Sequence, residues 1–165
     1  MPAVTDGDGV VLSLAAHKID VEGKKLLLIG AGGSAAAAAR ALADRGAKLC
    51  FANRTQEKAR ESASRFGGKI YEKGVVCDGI LSFVPVFDRL LFADEKDVAA
   101  AEFVLDAYYF RDTRLLQCAR KYGKIAVDGL DMLFFQAIKA FEIFTSVKAS
   151  DADTEALYAL FRSKI

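Results

Sequence analysis

The sequence lacks long apolar runs, an excess of either charge and any paired-cysteine motif. No apolar run reaches the roughly 18 residues of a membrane-spanning helix, so the sequence does not predict a membrane protein. Lys and Arg number 23 against 22 Asp and Glu and form no cluster, which argues against a nucleic-acid partner. Cys50, Cys77 and Cys118 have no C-x-x-C spacing, which argues against a metal site or a disulfide framework and fits a reducing cytoplasm.

The rest of the composition is that of an ordinary globular protein. The 165 residues are 53% apolar and 27% charged, which excludes a disordered chain, and the length suits one domain. Residues 1–8 are small and acidic, so they do not predict a secretory signal peptide. The single histidine, His17, is expected at the surface, because no residue that could orient it as a base is evident near it.

Short apolar runs alternate with longer stretches of helical periodicity. The runs predict strands at 26–29, 48–52, 80–84, 103–106 and 124–127, with a weaker candidate at 69–71. The stretches predict helices at 34–45, 55–66, 113–122, 132–145 and 154–163. This βαβ rhythm predicts an α/β fold with a doubly wound, mostly parallel sheet, a Rossmann-like NAD(P)-binding domain.

A glycine-rich turn lies between the first predicted strand and the first helix after it. It has the pattern G-x-G-x-x-A and consists of Gly30, Ala31, Gly32, Gly33, Ser34 and Ala35. In dinucleotide-binding proteins such a turn brings backbone close to the pyrophosphate, and the amides at the helix start face the phosphates. The sequence therefore predicts a dinucleotide site here, with a purely structural turn as the alternative.

The end of the second predicted strand indicates which dinucleotide is bound. An NAD site usually has Asp or Glu there to accept hydrogen bonds from the ribose. This sequence instead has Asn53, Arg54 and Thr55, with Lys58 one turn on. A guanidinium and an ammonium suit the 2′-phosphate of NADP, so NADP is the predicted cofactor. The alternative is that both cations are solvated surface charges and that Thr55 is only a helix cap.

Together these motifs resemble the shikimate dehydrogenase family. The resemblance rests on Gly-Ala-Gly-Gly-Ser-Ala at 30–35, Asn-Arg-Thr at 53–55, Asp-Gly-Leu-Asp-Met-Leu-Phe-Phe-Gln-Ala at 128–137 and Thr-Asp-Gly at 5–7. It implies a cytoplasmic, NADP-dependent oxidoreductase of aromatic amino acid biosynthesis that reduces 3-dehydroshikimate to shikimate. The family's N-terminal substrate domain, which supplies a catalytic lysine, has no counterpart in this chain.

The resemblance also implies a division of the chain. Residues 1–20 are expected to form an interdomain helix segment, 21–148 the dinucleotide-binding domain, and 149–165 a helix that packs toward the missing substrate domain. The chain is then either an excised domain, part of a larger or bifunctional enzyme, or a natural short protein. The family includes monomers and dimers, so a homodimer stays open, as does the choice between shikimate and quinate.

Five further positions, outside the turn and the segment after the second strand, carry predicted roles. The resemblance implies that Asp6 pairs with the missing lysine in proton transfer and contacts substrate, and that Gln136 and Tyr109 also bind substrate. It implies that Gly129 and Met132 contact the nicotinamide. Tyr108 is the alternative to Tyr109 as the substrate tyrosine. The plain alternatives are a turn carboxylate for Asp6, a satisfied core amide for Gln136 and core filling for Met132.

One segment departs from the family pattern. Where the family has a small polar loop under the cofactor, residues 82–87 read Ser-Phe-Val-Pro-Val-Phe, which is bulky and apolar. This departure favours an alternative, a non-catalytic regulatory or sensor domain that keeps the fold and binds cofactor weakly or not at all.

Overall fold

The computed structural model describes residues 5–164. Residues 1–4 and 165, which the first and last predicted segments include, lie outside the described residues. Within the described part, six strands form one sheet in the order β3-β2-β1-β4-β5-β6. The strands are β1 Lys25–Ile29, β2 Lys48–Ala52, β3 Lys69–Ile70, β4 Gly79–Ser82, β5 Phe103–Asp106 and β6 Ile125–Asp128.

All five strand pairs are parallel, with β1 and β4 adjacent at the centre. The helices are α1 Asp6–Ala16, α2 Gly33–Ala43, α3 Gln56–Phe66, α4 Glu95–Ala100, α5 Arg114–Lys121, α6 Gly129–Thr145 and α7 Asp151–Arg162. The predicted α/β, doubly wound, Rossmann-like fold is therefore confirmed. Because the chain reverses its direction of winding between β1 and β4, a crevice forms at the carboxyl ends of these strands.

Side-chain caps fix the starts of two helices, α6 and α4, that differ from the sequence prediction. The helix predicted at 132–145 begins at Gly129, since the Asp128 carboxylate accepts from the amides of Leu130 and Asp131. Helix α4 was not predicted at all. Its signal is a reciprocal cap, in which Asp94 accepts from the Asp97 amide and Asp97 accepts from the Asp94 amide.

Apolar side chains on the two faces of the sheet form two core layers. Leu26, Leu28, Leu49 and Phe51 face the layer made with α1, α2, α3 and α6. The alternate residues, such as Leu27 and Ile29, face the layer made with α4 and α5. The four strands between the edge strands β3 and β6 are therefore covered on both faces, as their continuous apolar sequences indicate.

Helix α1 packs closely against α2 and α6 because it carries glycine at both contacts. A Cβ at Gly7 would lie 2.6 Å from the Ala37 carbonyl oxygen of α2, and one at Gly9 would lie 2.8 Å from the Met132 carbonyl oxygen of α6. This packing places the start of α1 beside the glycine-rich turn. Among residues 5–164 no helix is both long and apolar enough to cross a membrane.

Candidate functional site

The glycine-rich turn begins at a position that only glycine can occupy without backbone strain. Gly30 follows β1 with φ +116°, a conformation that L side chains rarely adopt. A Cβ on Gly30 would also lie 3.2 Å from Val84 Cγ1, and the Gly30 amide donates to the Ala52 carbonyl at 2.9 Å. These contacts hold the turn at the carboxyl end of β1, above the central crevice.

The next two glycines leave the turn open to solvent. Gly32, the N-cap of α2, and Gly33 are exposed, and a Cβ on either would meet no atom within 4 Å. Ala35 is buried against the sheet, while Ala31 and Ser34 are half-buried. Free helix amides and the positive end of the helix dipole therefore face an unobstructed surface, which suits a phosphate.

A second group of polar side chains follows β2. The Asn53 side-chain amide donates to the Thr55 carbonyl at 3.0 Å, which fixes this short turn. Thr55 is the N-cap residue of α3, but its side chain forms no cap hydrogen bond. The alternative that Thr55 is only a helix cap therefore accounts for where the residue lies but gives its hydroxyl no role. Arg54, Thr55 and Lys58 are exposed, and neither cation forms an ion pair within the described residues. Three polar side chains are thus free at the strand end where an NAD site has a carboxylate.

The structure connects Asp6 to the glycine-rich turn. The hydroxyl of Ser34, in the first turn of α2, donates to Asp6 Oδ2 at 2.5 Å, and both residues are half-buried. Because α1 packs on α2 through Gly7, the carboxylate predicted to act in proton transfer lies beside the predicted phosphate site.

The predicted positions on α6 differ in accessibility. Gln136 is half-buried, and its Cβ lies 3.1 Å from the position that a Cβ on Gly9 would take, so it faces the start of α1. Met132 is only 5% exposed and packs in the core, as its plain alternative requires. Gly129 is buried, and a Cβ there would lie 2.4 Å from the Ala107 carbonyl oxygen. The nicotinamide contacts of Met132 and Gly129 stay predictions.

The loop after β5 carries the candidate substrate tyrosine. Tyr109 is 40% exposed, with its ring centroid 4.4 Å from that of Phe110. Its neighbour Tyr108 is half-buried and stacks on Phe87 at 6.0 Å. Of the two tyrosines, Tyr109 therefore presents more surface to a ligand, although no contact tests its role.

Asp106, the last residue of β5, holds this loop in place. Its buried carboxylate accepts from the Tyr108 amide at 3.1 Å and from the Thr113 hydroxyl at 2.8 Å. Burial raises the pKa of Asp106 to about 6, and the two hydrogen bonds oppose this rise only in part.

We expect the stability of the protein to depend on pH through Asp106. Since its folded pKa of about 6 lies above the unfolded value, its favourable contribution is complete below about pH 4 and is lost as the pH rises through 6. Asp106→Asn should remove this dependence. Between pH 4 and 7 the unfolding free energy of the wild type should fall by roughly 2 kcal/mol relative to the variant. Urea unfolding at several pH values measures this difference. Asp88→Asn, at an exposed aspartate, is the control, and a pH-independent difference for Asp106→Asn would contradict the assignment.

The structure corrects the prediction for His17. This residue is half-buried, and its Nε2 lies 2.8 Å from Oδ2 of Asp131, which is 1% exposed. Asp131 also accepts from the Tyr158 hydroxyl at 2.6 Å and lies 3.7 Å from Arg162 Nε. Burial alone would raise the pKa of Asp131, but these partners outweigh it and lower the pKa. The partner was missed because it is 114 residues further along the chain.

This polar network links α1, α6 and α7, and it therefore has a structural explanation. Arg162 also pairs with Asp128 at 3.0 Å, and Phe161 packs on Phe134 at 5.3 Å between ring centroids. Within the described residues no group of three or more His, Cys, Asp or Glu side chains is arranged to hold a metal ion.

Comparison with known proteins identifies the family. The model of shikimate/quinate 5-dehydrogenases matches residues 13–80. The shikimate dehydrogenase (NADP(+)) of Methanothrix thermoacetophila is 36% identical over 98% of the chain, and that of Halorubrum lacusprofundi has the same values. This chain belongs to the shikimate dehydrogenase family. It spans about 62% of the length of these two relatives.

Solved structures agree with this assignment. The shikimate dehydrogenase of Aquifex aeolicus superimposes with a TM-score of 0.80 at 29% identity, covering 92% of this chain and 59% of that one. A chorismate mutase/shikimate 5-dehydrogenase fusion protein from Clostridium acetobutylicum gives 0.85 at 25% identity, with coverage of 98% and 62%. A shikimate dehydrogenase solved in complex with NADP+ gives 0.78 at 29% identity, with coverage of 98% and 61%. The family resemblance predicted from the motifs is thereby confirmed.

Proposed function

We propose that this chain is the NADP-binding domain of a cytoplasmic shikimate dehydrogenase that interconverts 3-dehydroshikimate and shikimate. The observation that carries the proposal is the open glycine-rich turn beside the free cations at the end of β2, where no carboxylate stands. The names of the relatives, shikimate dehydrogenase (NADP(+)), support the same cofactor and reaction.

The residues present fit a dinucleotide with a 2′-phosphate. The space above Gly32 and Gly33 leaves room for a pyrophosphate at the first amides of α2. Arg54 and Lys58 provide two positive charges, and the Thr55 hydroxyl provides a donor, for the 2′-phosphate. When bound, NADP supplies the hydride chemistry, and the protein supplies orientation and electrostatics.

The substrate side combines residues of three elements. Asp6 on α1, Gln136 on α6 and Tyr109 after β5 are the proposed contacts to substrate hydroxyls and to the proton donor. Ser34 fixes one carboxylate oxygen of Asp6 at 2.5 Å, which leaves the other, Oδ1, for an ammonium group. A lysine in the remaining part of the enzyme would hydrogen-bond this oxygen and deliver its proton to the developing alkoxide.

The proposed partner is the rest of the enzyme. Exposed apolar side chains lie along the last two helices: Phe141, Ile143, Phe144, Leu157 and Leu160. Such a concentration is typical of a surface that another domain or subunit covers. The division at 1–20, 21–148 and 149–165 is part of this proposal. The alternative is that the second subunit of a homodimer covers this apolar surface.

Cofactor selectivity gives the direct test at the residue level. Arg54→Ala should weaken NADP binding by roughly 1–3 kcal/mol, the range for a charge-assisted hydrogen bond, and should leave NAD binding nearly unchanged. Arg54→Asp should go further and favour NAD, because a carboxylate repels the 2′-phosphate. Calorimetric titration with both cofactors measures these changes.

Arg60→Ala is the matched control, because Arg60 is an exposed arginine on α3, six residues after Arg54, and already pairs with Glu57 at 3.0 Å. If Arg54→Ala changes NADP and NAD affinity equally, or no more than Arg60→Ala does, Arg54 does not read the 2′-phosphate.

One observation favours the second candidate, a non-catalytic regulatory or sensor domain. The bulky segment after β4 lies directly against the turn: the position of a Cβ on Gly30 is 3.2 Å from Val84 Cγ1 and 3.4 Å from Phe83 Cβ. If this segment fills the cofactor crevice, Val84→Ala should create NADP binding that the wild type lacks. If the wild type binds NADP, this candidate loses its support.

A further inference from the structure

Two buried cysteines lie together on one face of the sheet, away from the nucleotide crevice. Cys50 is in the middle of β2, and its side chain points to the same face as Ala52 and opposite to Leu49 and Phe51. Cys77, just before β4, packs in the core layer on the face of Ala52. The fold therefore brings together two thiols that are 27 positions apart in the sequence.

The two side chains interact directly. The two sulfurs are neighbours, since each side chain is the largest influence on the pKa of the other. The Cys77 thiol donates to the Val75 carbonyl oxygen at 3.8 Å, and Val75 lines the same cavity as Cys50. With its proton held by this carbonyl, Cys77 is the thiol that stays protonated, and Cys50 is the sulfur free to ionise.

Positive side chains surround the Cys50 end of the pair. A cavity of about 680 Å³ opens onto Cys50 and is lined by Lys25 of β1, Lys69 of β3 and Arg60 of α3. Glu72, in the segment after β3, is the carboxylate in its lining. Cys50 itself is 7% exposed, so a small molecule can reach it from the cavity.

The neighbouring thiol and the charges act in the same direction on Cys50. The adjacent Cys77 thiol, followed by Lys25 and Lys69, lowers the pKa of Cys50 to about 7 against the opposing effect of burial. The adjacent Cys50, together with burial, raises the pKa of Cys77. Cys50 is therefore the nucleophile of the pair, and Cys77 is the group that follows.

We propose that Cys50 and Cys77 form a peroxide-sensitive site that closes to an intramolecular disulfide. The Cys50 thiolate attacks one oxygen of hydrogen peroxide, the O–O bond breaks, and hydroxide leaves to give a sulfenic acid. The Cys77 sulfur then attacks the Cys50 sulfur, the S–O bond breaks, and hydroxide leaves again. In total two thiols are oxidised by two electrons, and one peroxide is reduced to two waters.

The third cysteine provides an internal control. Cys118 on α5 is completely buried, and burial raises its pKa. It has no cysteine partner among the described residues, so it should stay reduced when the pair is oxidised.

The experiment maps thiols in the intact protein after exposure to hydrogen peroxide. Trypsin releases the three cysteines in separate peptides, 49–54, 74–89 and 115–120. We expect peptide 49–54 to become linked to 74–89, the intact mass to fall by about 2 Da for two hydrogens lost, and peptide 115–120 to keep its thiol. Cys118→Ser should behave like the wild type. Cys77→Ser should stop at a Cys50 sulfenic acid, which dimedone traps.

The pH dependence provides a second measurement. For a pKa of about 7, thiol loss should accelerate about tenfold from pH 6 to 8, against about eightyfold for an ordinary thiol with a pKa of about 8.5. The wild-type peptide map decides the proposal even if a variant fails to fold. Three results would each overturn the proposal. The protein could keep three free thiols after a peroxide dose that oxidises glutathione, the disulfide could link two chains, or it could include Cys118.

Discussion

Gly32→Val is expected to abolish NADP binding while leaving the protein folded. The backbone of Gly32 is extended, with φ −83° and ψ −175°, which valine adopts readily, and a Cβ there meets no atom within 4 Å. The added methyl groups would instead occupy the space where backbone approaches the pyrophosphate. Calorimetric titration measures the loss of binding, and circular dichroism and thermal unfolding check the fold.

The control for this variant introduces the same side chain elsewhere. Ser64→Val, at an exposed position of α3, should leave NADP affinity unchanged. Wild-type affinity in Gly32→Val would mean that the turn only connects β1 to α2, which is the structural alternative.

The 165-residue chain alone is expected to show no shikimate-dependent reduction of NADP. Asp6 has the Ser34 hydroxyl as its partner, and no lysine pairs with it among residues 5–164. The chain also spans only about 62% of the length of its relatives. Loss of substrate positioning can cost roughly 7–11 kcal/mol of barrier, or about 10⁵- to 10⁸-fold in rate.

The assay uses high enzyme concentration and follows NADPH absorbance. The full-length shikimate dehydrogenase of Methanothrix thermoacetophila serves as the positive control, and a second run adds that relative's N-terminal portion to the chain. Turnover by the short chain alone at a rate near that of the control would refute the divided-enzyme account. It would also require a catalytic acid within this chain.

Local signals made most of the fold predictable from the sequence. Strands β1 and β2 are buried on both faces, so each is a continuous apolar run. The chain leaves β1 with a positive φ, so a glycine follows the strand. Both signals can be recognised within a few consecutive residues. Helix α4 was missed because its capping pair, Asp94 and Asp97, encloses too few residues to show helical periodicity.

The features of the candidate site that could not be predicted from the sequence are contacts between residues far apart in the chain. The glycine-rich turn and the polar group after β2 were predictable because each lies within a few residues of a strand end. The Ser34–Asp6 hydrogen bond and the His17–Asp131 pair were not, because packing between helices far apart in sequence creates them. The same holds for Cys50 and Cys77, which no motif connects.

The central claim is that this chain binds NADP in preference to NAD, and calorimetric titration of the wild-type protein with each cofactor tests it most directly. The account predicts one NADP bound per chain and an NAD affinity weaker by roughly 5- to 150-fold, since about 1–3 kcal/mol of the binding depends on the 2′-phosphate. Equal affinities, or no binding of NADP at all, would contradict it.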